Sequence, residues 1–200
     1  LEIEGLTFQY KGQEEPVLRN LNLTAGEGRI LALTGPSGCG KSTLGCCIAG
    51  VIPRLIEGEF SGEIRRRGRV GIVFQDPDTQ VFLPTVLDEA AFGPENLCLP
   101  RDEIGGRIDE VLEITGISHL RQRNPGKLSG GQKQLTALAG VLALSPDLIV
   151  LDEAMAQLDG AARERMKEVL VELRQRGKTL FMIEHEERNL DIADEVLLLS

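Results

Sequence analysis

The run GPSGCGKST, Gly35 to Thr43, fits the pattern G-x-x-x-x-G-K-[ST]. It stands in the context that pattern needs, with an aliphatic run, RILALTG, leading into it and a helical run following. Glycines let the backbone wrap a polyphosphate so that successive N–H groups point inward, while the positive end of the next helix faces the same anion. Lys41 would then reach the β- and γ-phosphates of a nucleotide, and Ser42 would ligate Mg2+. A plain glycine-rich turn before a core helix is the alternative, and it is disfavoured because strand, loop and helix all agree. Cys46 and Cys47, in that helix, read as core rather than as reactive thiols.

A second chemical group lies at LIVLDE, Leu148 to Glu153, an apolar strand ending in two carboxylates. In an open α/β sheet, ligands bind at the carboxyl ends of the strands. There Asp152 would hold Mg2+, directly or through water, and Glu153 would act as general base on an attacking water. A third group is LSGGQKQ, Leu128 to Gln134, whose Ser-Gly-Gly offers a hydroxyl and bare N–H groups at the start of another helix. One nucleotide does not need two such cradles from one chain, so two copies are expected to share each nucleotide.

The elements that must position these groups are legible. Alternating runs LEIEGLTFQY and VLRNLNLTA open the chain as half-buried strands. EFSGEIR, RVGIVFQ, DLIVLDE, TLFMIEH and EVLLL are further strands, and those dense in Leu, Ile and Val read as buried and parallel. Helical spacing marks Ala161 to Arg176 and replaces the strand signal between Pro84 and Leu144. The expectation is an α/β chain in which residues 1–83 and 145–200 form a mostly parallel core with an N-terminal antiparallel β subdomain. Residues 84–144 form an inserted helical subdomain. The first residue, Leu1, and the final EVLLLS suggest a domain cut from something longer.

Composition narrows the partners. With 42 % apolar and 26 % charged residues the chain is an ordinary globular protein, and 4 % aromatics imply an aliphatic core. A net charge of −9 argues against sequence-independent nucleic-acid binding, which needs a basic surface. Cys39, Cys46, Cys47 and Cys98 form no CxxC pair or Cys/His cluster, which fits a reducing cytosol. No apolar run approaches the roughly 18 residues of a membrane span. In a membrane process, another chain would supply the membrane part.

Taken in order, the motifs make the chain resemble the nucleotide-binding domain of ATP-binding cassette (ABC) proteins, the P-loop NTPases of transport, over essentially its whole length. They are the P-loop at Gly35, Pro36, Ser37, Gly38, Cys39, Gly40, Lys41, Ser42 and Thr43, Gln75 after a strand, and the signature LSGGQ at Leu128 to Gln132. Asp152 and Glu153 follow, then LD at Leu158 and Asp159, and His185 after a strand. The resemblance implies a head-to-tail dimer with two ATP molecules between the P-loop of one subunit and the signature of the other. Ser129, Gly130, Gly131, Gln132 and Asp159 would then contact ATP across the dimer. It also implies adenine stacking by Tyr10, Gln75 as a Mg2+ ligand beside the reaction, and His185 against the γ-phosphate and attacking water. A core or edge role for Tyr10 stays open.

Within that family, FQDPDTQVFLPTVLDEAAFGPENL, Phe74 to Leu97, resembles the segment typical of energy-coupling factor (ECF) transporters. The resemblance implies that a cytoplasmic helix of a transmembrane T subunit docks near Gln75–Phe92. A separate S subunit would bind a vitamin or metal ion, and this chain would lie at the cytoplasmic face of the membrane. Asp76, Asp78, Asp88 and Glu89 are expected to meet a basic helix, with Val81, Phe82, Leu83 and Phe92 as apolar anchors. The triplet Arg65 to Arg67 reads as an exposed turn. Ala154 stands where the family usually has proline, Leu135 where it has arginine, and Asp76 where it often has asparagine. A soluble ABC ATPase of repair or translation, or a regulatory ATP-binding module, is the alternative.

Overall fold

The computed structural model describes residues 1–199. Among the described residues all eight expected strands are present, together with five α-helices. Strands β1 (Glu2–Tyr10), β2 (Leu18–Thr24) and β4 (Gly58–Arg65) form an antiparallel sheet in the order β2-β1-β4. Ile3 is buried between exposed Glu2 and Glu4, and a register shift after Ile3 changes the phase of β1 so that Leu6 and Phe8 also turn inward.

The second sheet contains β3 (Ile30–Thr34), β5 (Val70–Val73), β6 (Leu148–Asp152), β7 (Thr179–Ile183) and β8 (Glu195–Leu198), in the order β5-β6-β7-β3-β8. Strand β3 runs parallel to β7 and β8, and β6 runs parallel to β7. Every residue of LIVLD and TLFMI is buried, as continuous apolar strands covered on both faces must be. Helix α1 (Lys41–Ala49) packs on β6 and β7 through Leu44, Cys47 and Ile48, which join Phe181 and Ile183 in one aliphatic core. Each such side chain removed from water contributes roughly 1.5–3 kcal/mol.

The chain divides into two compact units. One holds Leu1–Ile72, Asp147–Glu153 and the described residues from Leu173 on; the other holds Val73–Pro146 and Ala154–Glu172. In the second unit, α2 (Val86–Asn96), α3 (Arg101–Thr115) and α4 (Gly130–Leu142) pack on one another. Thr85 caps α2 by accepting the Asp88 N–H (3.1 Å) and donates in return to the Asp88 carboxylate (2.7 Å). Helix α5 (Gly160–Gln175) follows the LD pair. Leu135, in the place of the family's arginine, lies buried on α4 and needs no charged partner.

Candidate nucleotide site

The chain between β3 and α1 is shaped by glycine. At Gly35, φ is +152°, and a Cβ would stand 2.4 Å from the Leu199 carbonyl oxygen and 3.0 Å from Cys39 Sγ, so no side chain fits. Lys41, the first residue of α1, is only 7 % exposed, and its Nζ donates to the Gly35 (2.9 Å) and Pro36 (2.8 Å) carbonyls. That fastens the ammonium over the loop at the positive end of α1. Arg66 does the converse at the other end of the helix. Its Nη1 donates to the Ile48 carbonyl (2.6 Å), where a cation complements the helix dipole. Arg66 is therefore a half-buried cap on the P-loop helix, a correction to the reading of Arg65 to Arg67 as an exposed turn. Burial pushes the Cys47 thiol up to about 12, with neighbouring Cys46 adding to it, which suits the inert core role expected of that pair.

The Tyr10 hydroxyl lies 2.9 Å from Thr43 Oγ1, and its ring meets Phe8 edge-on at 4.9 Å. This tyrosine is thus joined both to the core and to the P-loop helix. Ser42 Oγ donates to Asp152 Oδ1 at 2.9 Å. Burial raises the Asp152 carboxyl above its ordinary range; the Ser42 hydrogen bond opposes this, Glu153 adds to it, and Lys41 opposes it. A hydroxyl and a carboxylate are hard oxygen donors of the kind Mg2+ takes. Among the described residues no group of three or more His, Cys, Asp or Glu could hold a metal, and a Mg2+ ion here would draw its other ligands from phosphates and water.

Glu153 ends this arc. Its φ of +50° is unusual for a non-glycine residue, and its N–H is pinned to the Ile183 carbonyl at 3.0 Å. The same parallel pairing of β6 with β7 brings His185 to it, with Nδ1 3.6 Å from Glu153 Oε2. Beneath His185, the fully buried Glu184 accepts from Asn189 Nδ2 at 3.1 Å, a pair that sequence reasoning missed because nothing local marks it. A cleft of ≈ 200 Å³ is lined by Val17, Ser37, Gly38, Gly40, Lys41, Ser42, Thr43 and Glu153. The first unit therefore gathers a glycine-rich loop with its buried lysine, the Ser42–Asp152 pair and the Glu153–His185 pair at the carboxyl end of its sheet.

The second unit carries Gln75 and the signature. Ser129 Oγ accepts the Gln132 N–H (3.3 Å), and Gln132 Oε1 accepts the Ser129 N–H (3.1 Å), a capping box that opens α4. Gly130 is exposed with nothing near its missing Cβ, whereas Gly131 is buried with Ala162 against it. Asp159 Oδ1 accepts the Ala162 N–H at 2.9 Å, at the start of α5. Gln75 is exposed, on the segment that leaves β5.

Of the four acids expected to meet a basic helix, Asp76 and Asp78 stay exposed, and the expectation is corrected at Glu89. Asp76 caps the single turn Pro77–Thr79, Asp78 pairs with Lys133 at 2.5 Å, and Asp88 is held by Thr85. Glu89 is buried, its Oε1 accepting the N–H groups of Phe82 and Leu83, and burial raises its carboxyl above the ordinary range despite those two bonds. Besides Asp76 and Asp78 this stretch exposes two aromatic rings: Phe82 is 67 % and Phe92 45 % exposed, edge to face at 5.5 Å.

With this geometry in place, comparison with known proteins is consistent. The family model described as ABC transporter matches residues 18–156. The energy-coupling factor transporter ATP-binding protein EcfA of Methanosarcina acetivorans is 38 % identical over all of this chain and 76 % of its own length. A Methanosarcina mazei protein with the provisional name ABC transporter ATP-binding protein is 39 % identical, and the chain spans only 37 % of it. Among solved structures, cbiO1 of Clostridium perfringens, part of the ABC transporter complex cbiONQ, superposes with a TM-score of 0.85 at 33 % identity, covering all of this chain and 84 % of that one. The chain belongs to the ABC transporter family, as an α/β ATP-binding domain.

Proposed function

We propose that this chain hydrolyses ATP at sites shared between two such domains and energises an ECF-type importer of a vitamin, cofactor precursor or transition-metal ion. The observation that carries hydrolysis is the Glu153–His185 pair beside Lys41, Ser42 and Asp152. Loop N–H groups and Lys41 bind and orient the polyphosphate, and Tyr10 supplies a face for the adenine. Glu153 accepts a proton from the attacking water, whose oxygen bonds to the γ-phosphorus as the bond to the β,γ-bridging oxygen breaks. His185 orients that water and the γ-phosphate. Ser42 and Asp152 would hold Mg2+, whose contribution when bound is to neutralise charge on the phosphate oxygens. Ser129, Gly130, Gly131, Gln132 and Asp159 act on the ATP of the neighbouring domain.

The importer reading rests on the exposed Phe82–Phe92 pair at the lip of a ≈ 210 Å³ groove walled by α2 and α4. Aromatic anchors beside an apolar groove suit a docking helix of a transmembrane subunit, with a substrate-binding S subunit beyond it. Relatives named EcfA and HMP/thiamine import ATP-binding protein support that class. Docking of this kind would hold the chain at the cytoplasmic face of the membrane; among the described residues no helix is long and apolar enough to cross one.

Affinity purification from membranes tests this. The wild-type chain is expected to retain a membrane partner that Phe82→Ser/Phe92→Ser loses, at a melting temperature little changed because both rings are exposed. Unchanged recovery would refute docking at this groove. No membrane partner at all, with ATPase activity stimulated by DNA or ribosomes, would favour a soluble role instead.

A further inference from the structure

Lys133 and Gln134 follow directly on the signature, and neither belongs to the nucleotide machinery above. Both side chains nevertheless turn onto the segment that carries Gln75. Gln134 is 1 % exposed, and its Nε2 donates to the Phe74 carbonyl at 2.8 Å. Lys133 Nζ meets Asp78 Oδ1 at 2.5 Å. Between these two attachments the segment is closed on itself. The Phe74 N–H donates to Gln80 Oε1 (3.2 Å), the Asp78 N–H to Asp76 Oδ1 (2.9 Å), and Thr79 Oγ1 to the Asp76 carbonyl (2.7 Å).

A buried amide costs free energy unless it is hydrogen-bonded, and an apolar residue would fill the same space without that cost. Gln134 thus carries a specific link rather than generic packing. Its neighbours toward the N-terminus are the capping box of Ser129 and Gln132, so the link begins on the same rigid helical turn that presents the signature. We infer that Lys133 and Gln134 are positioning residues that fasten the Gln75 segment to the signature helix. Engagement of the signature by a neighbouring domain's nucleotide and placement of Gln75 then change together. This rests on the shared-site reading above, and it supplies a contiguous physical route from the nucleotide to the segment beside the Phe82–Phe92 groove.

Gln134→Leu removes the donor at similar volume, and Lys133→Met keeps the stem without the charge. Each is expected to lower kcat by roughly 2- to 30-fold with the KM for ATP unchanged, the range seen for couplings of this kind. The exchange Lys133→Asp/Asp78→Lys should restore kcat relative to Lys133→Asp alone. Wild-type kcat in both single variants, or kcat and KM moving together, would overturn the inference. A measurement without turnover separates the two readings. ATP with Mg2+ should slow amide exchange over residues 74–83 of the Glu153→Gln chain, and not when Gln134→Leu is added. Slowing over the P-loop, residues 35–43, reports nucleotide binding, and its absence in both chains refutes that reading; where it is present, slowing over residues 74–83 that is equal in both chains or missing from both refutes the link.

Discussion

Glu153→Gln is expected to lower the rate of phosphate release by about 10²- to 10⁴-fold, the contribution of a positioned general base. The amide fills the same space and cannot take a proton at neutral pH. The rest of the site should survive. The backbone at residue 153 is held by its N–H bond to Ile183, and Ser42, Asp152 and Lys41 keep their own partners. ATP binding should therefore persist, and the ATP-bound dimer should accumulate as a larger species in size-exclusion chromatography. The same bond bears on Ala154, which replaces the family's proline: Glu153 is fixed through β7 without it. Equal phosphate release by wild type and variant would remove Glu153 from the mechanism.

The second large effect separates the two signature glycines. At Gly131 an added Cβ would lie 2.3 Å from Ala162 Cβ, so the start of α4 and the start of α5 cannot both stay in place. Overpacking of this kind costs about 1–3 kcal/mol, against a helix-propensity gain of at most about 1 kcal/mol. Gly131→Ala should lower the denaturant midpoint of the isolated chain, and Ala162→Gly in the same chain should recover it. Gly130, with open space around it, should accept alanine without loss of stability. Gly130→Ala should instead weaken ATP-driven dimerisation, since Gly130 is exposed at the start of α4, where the signature would meet the neighbouring domain's nucleotide. A stability loss at Gly130 and none at Gly131 would reverse this division of labour.

Sequence alone located the strands because their burial follows the apolar pattern. LIVLD and TLFMI read as continuous runs and are buried throughout; EIEGLTFQY buries Ile3, then Leu6 and Phe8, its alternation changing phase at the register shift after Ile3. The P-loop and the carboxylate pair were legible for a similar reason, as local spacing determines what the backbone can cradle. Long-range partners were not legible. Arg66 reaches back 18 residues to Ile48, and Gln134 reaches back 60 to Phe74, with no periodicity to report either. Glu89 was misjudged because charge in a sequence suggests solvent, yet its carboxylate lies inside and accepts two backbone N–H groups. The Phe82 and Phe92 rings, expected as anchors from the sequence, are exposed together with Asp76 and Asp78.

The central claim is that each ATP is shared, with the P-loop of one copy completed by the signature of another. Mixing two inactive chains tests it most directly. Lys41→Ala leaves its signature intact, and Ser129→Arg leaves its P-loop intact. In a head-to-tail pair of the two, one site contains only wild-type groups. The account predicts ATP hydrolysis in the mixture that neither chain has alone, abolished again when Glu153→Gln is added to the Ser129→Arg chain. A mixture as inactive as its components, beside a fully active wild type, would contradict the shared site.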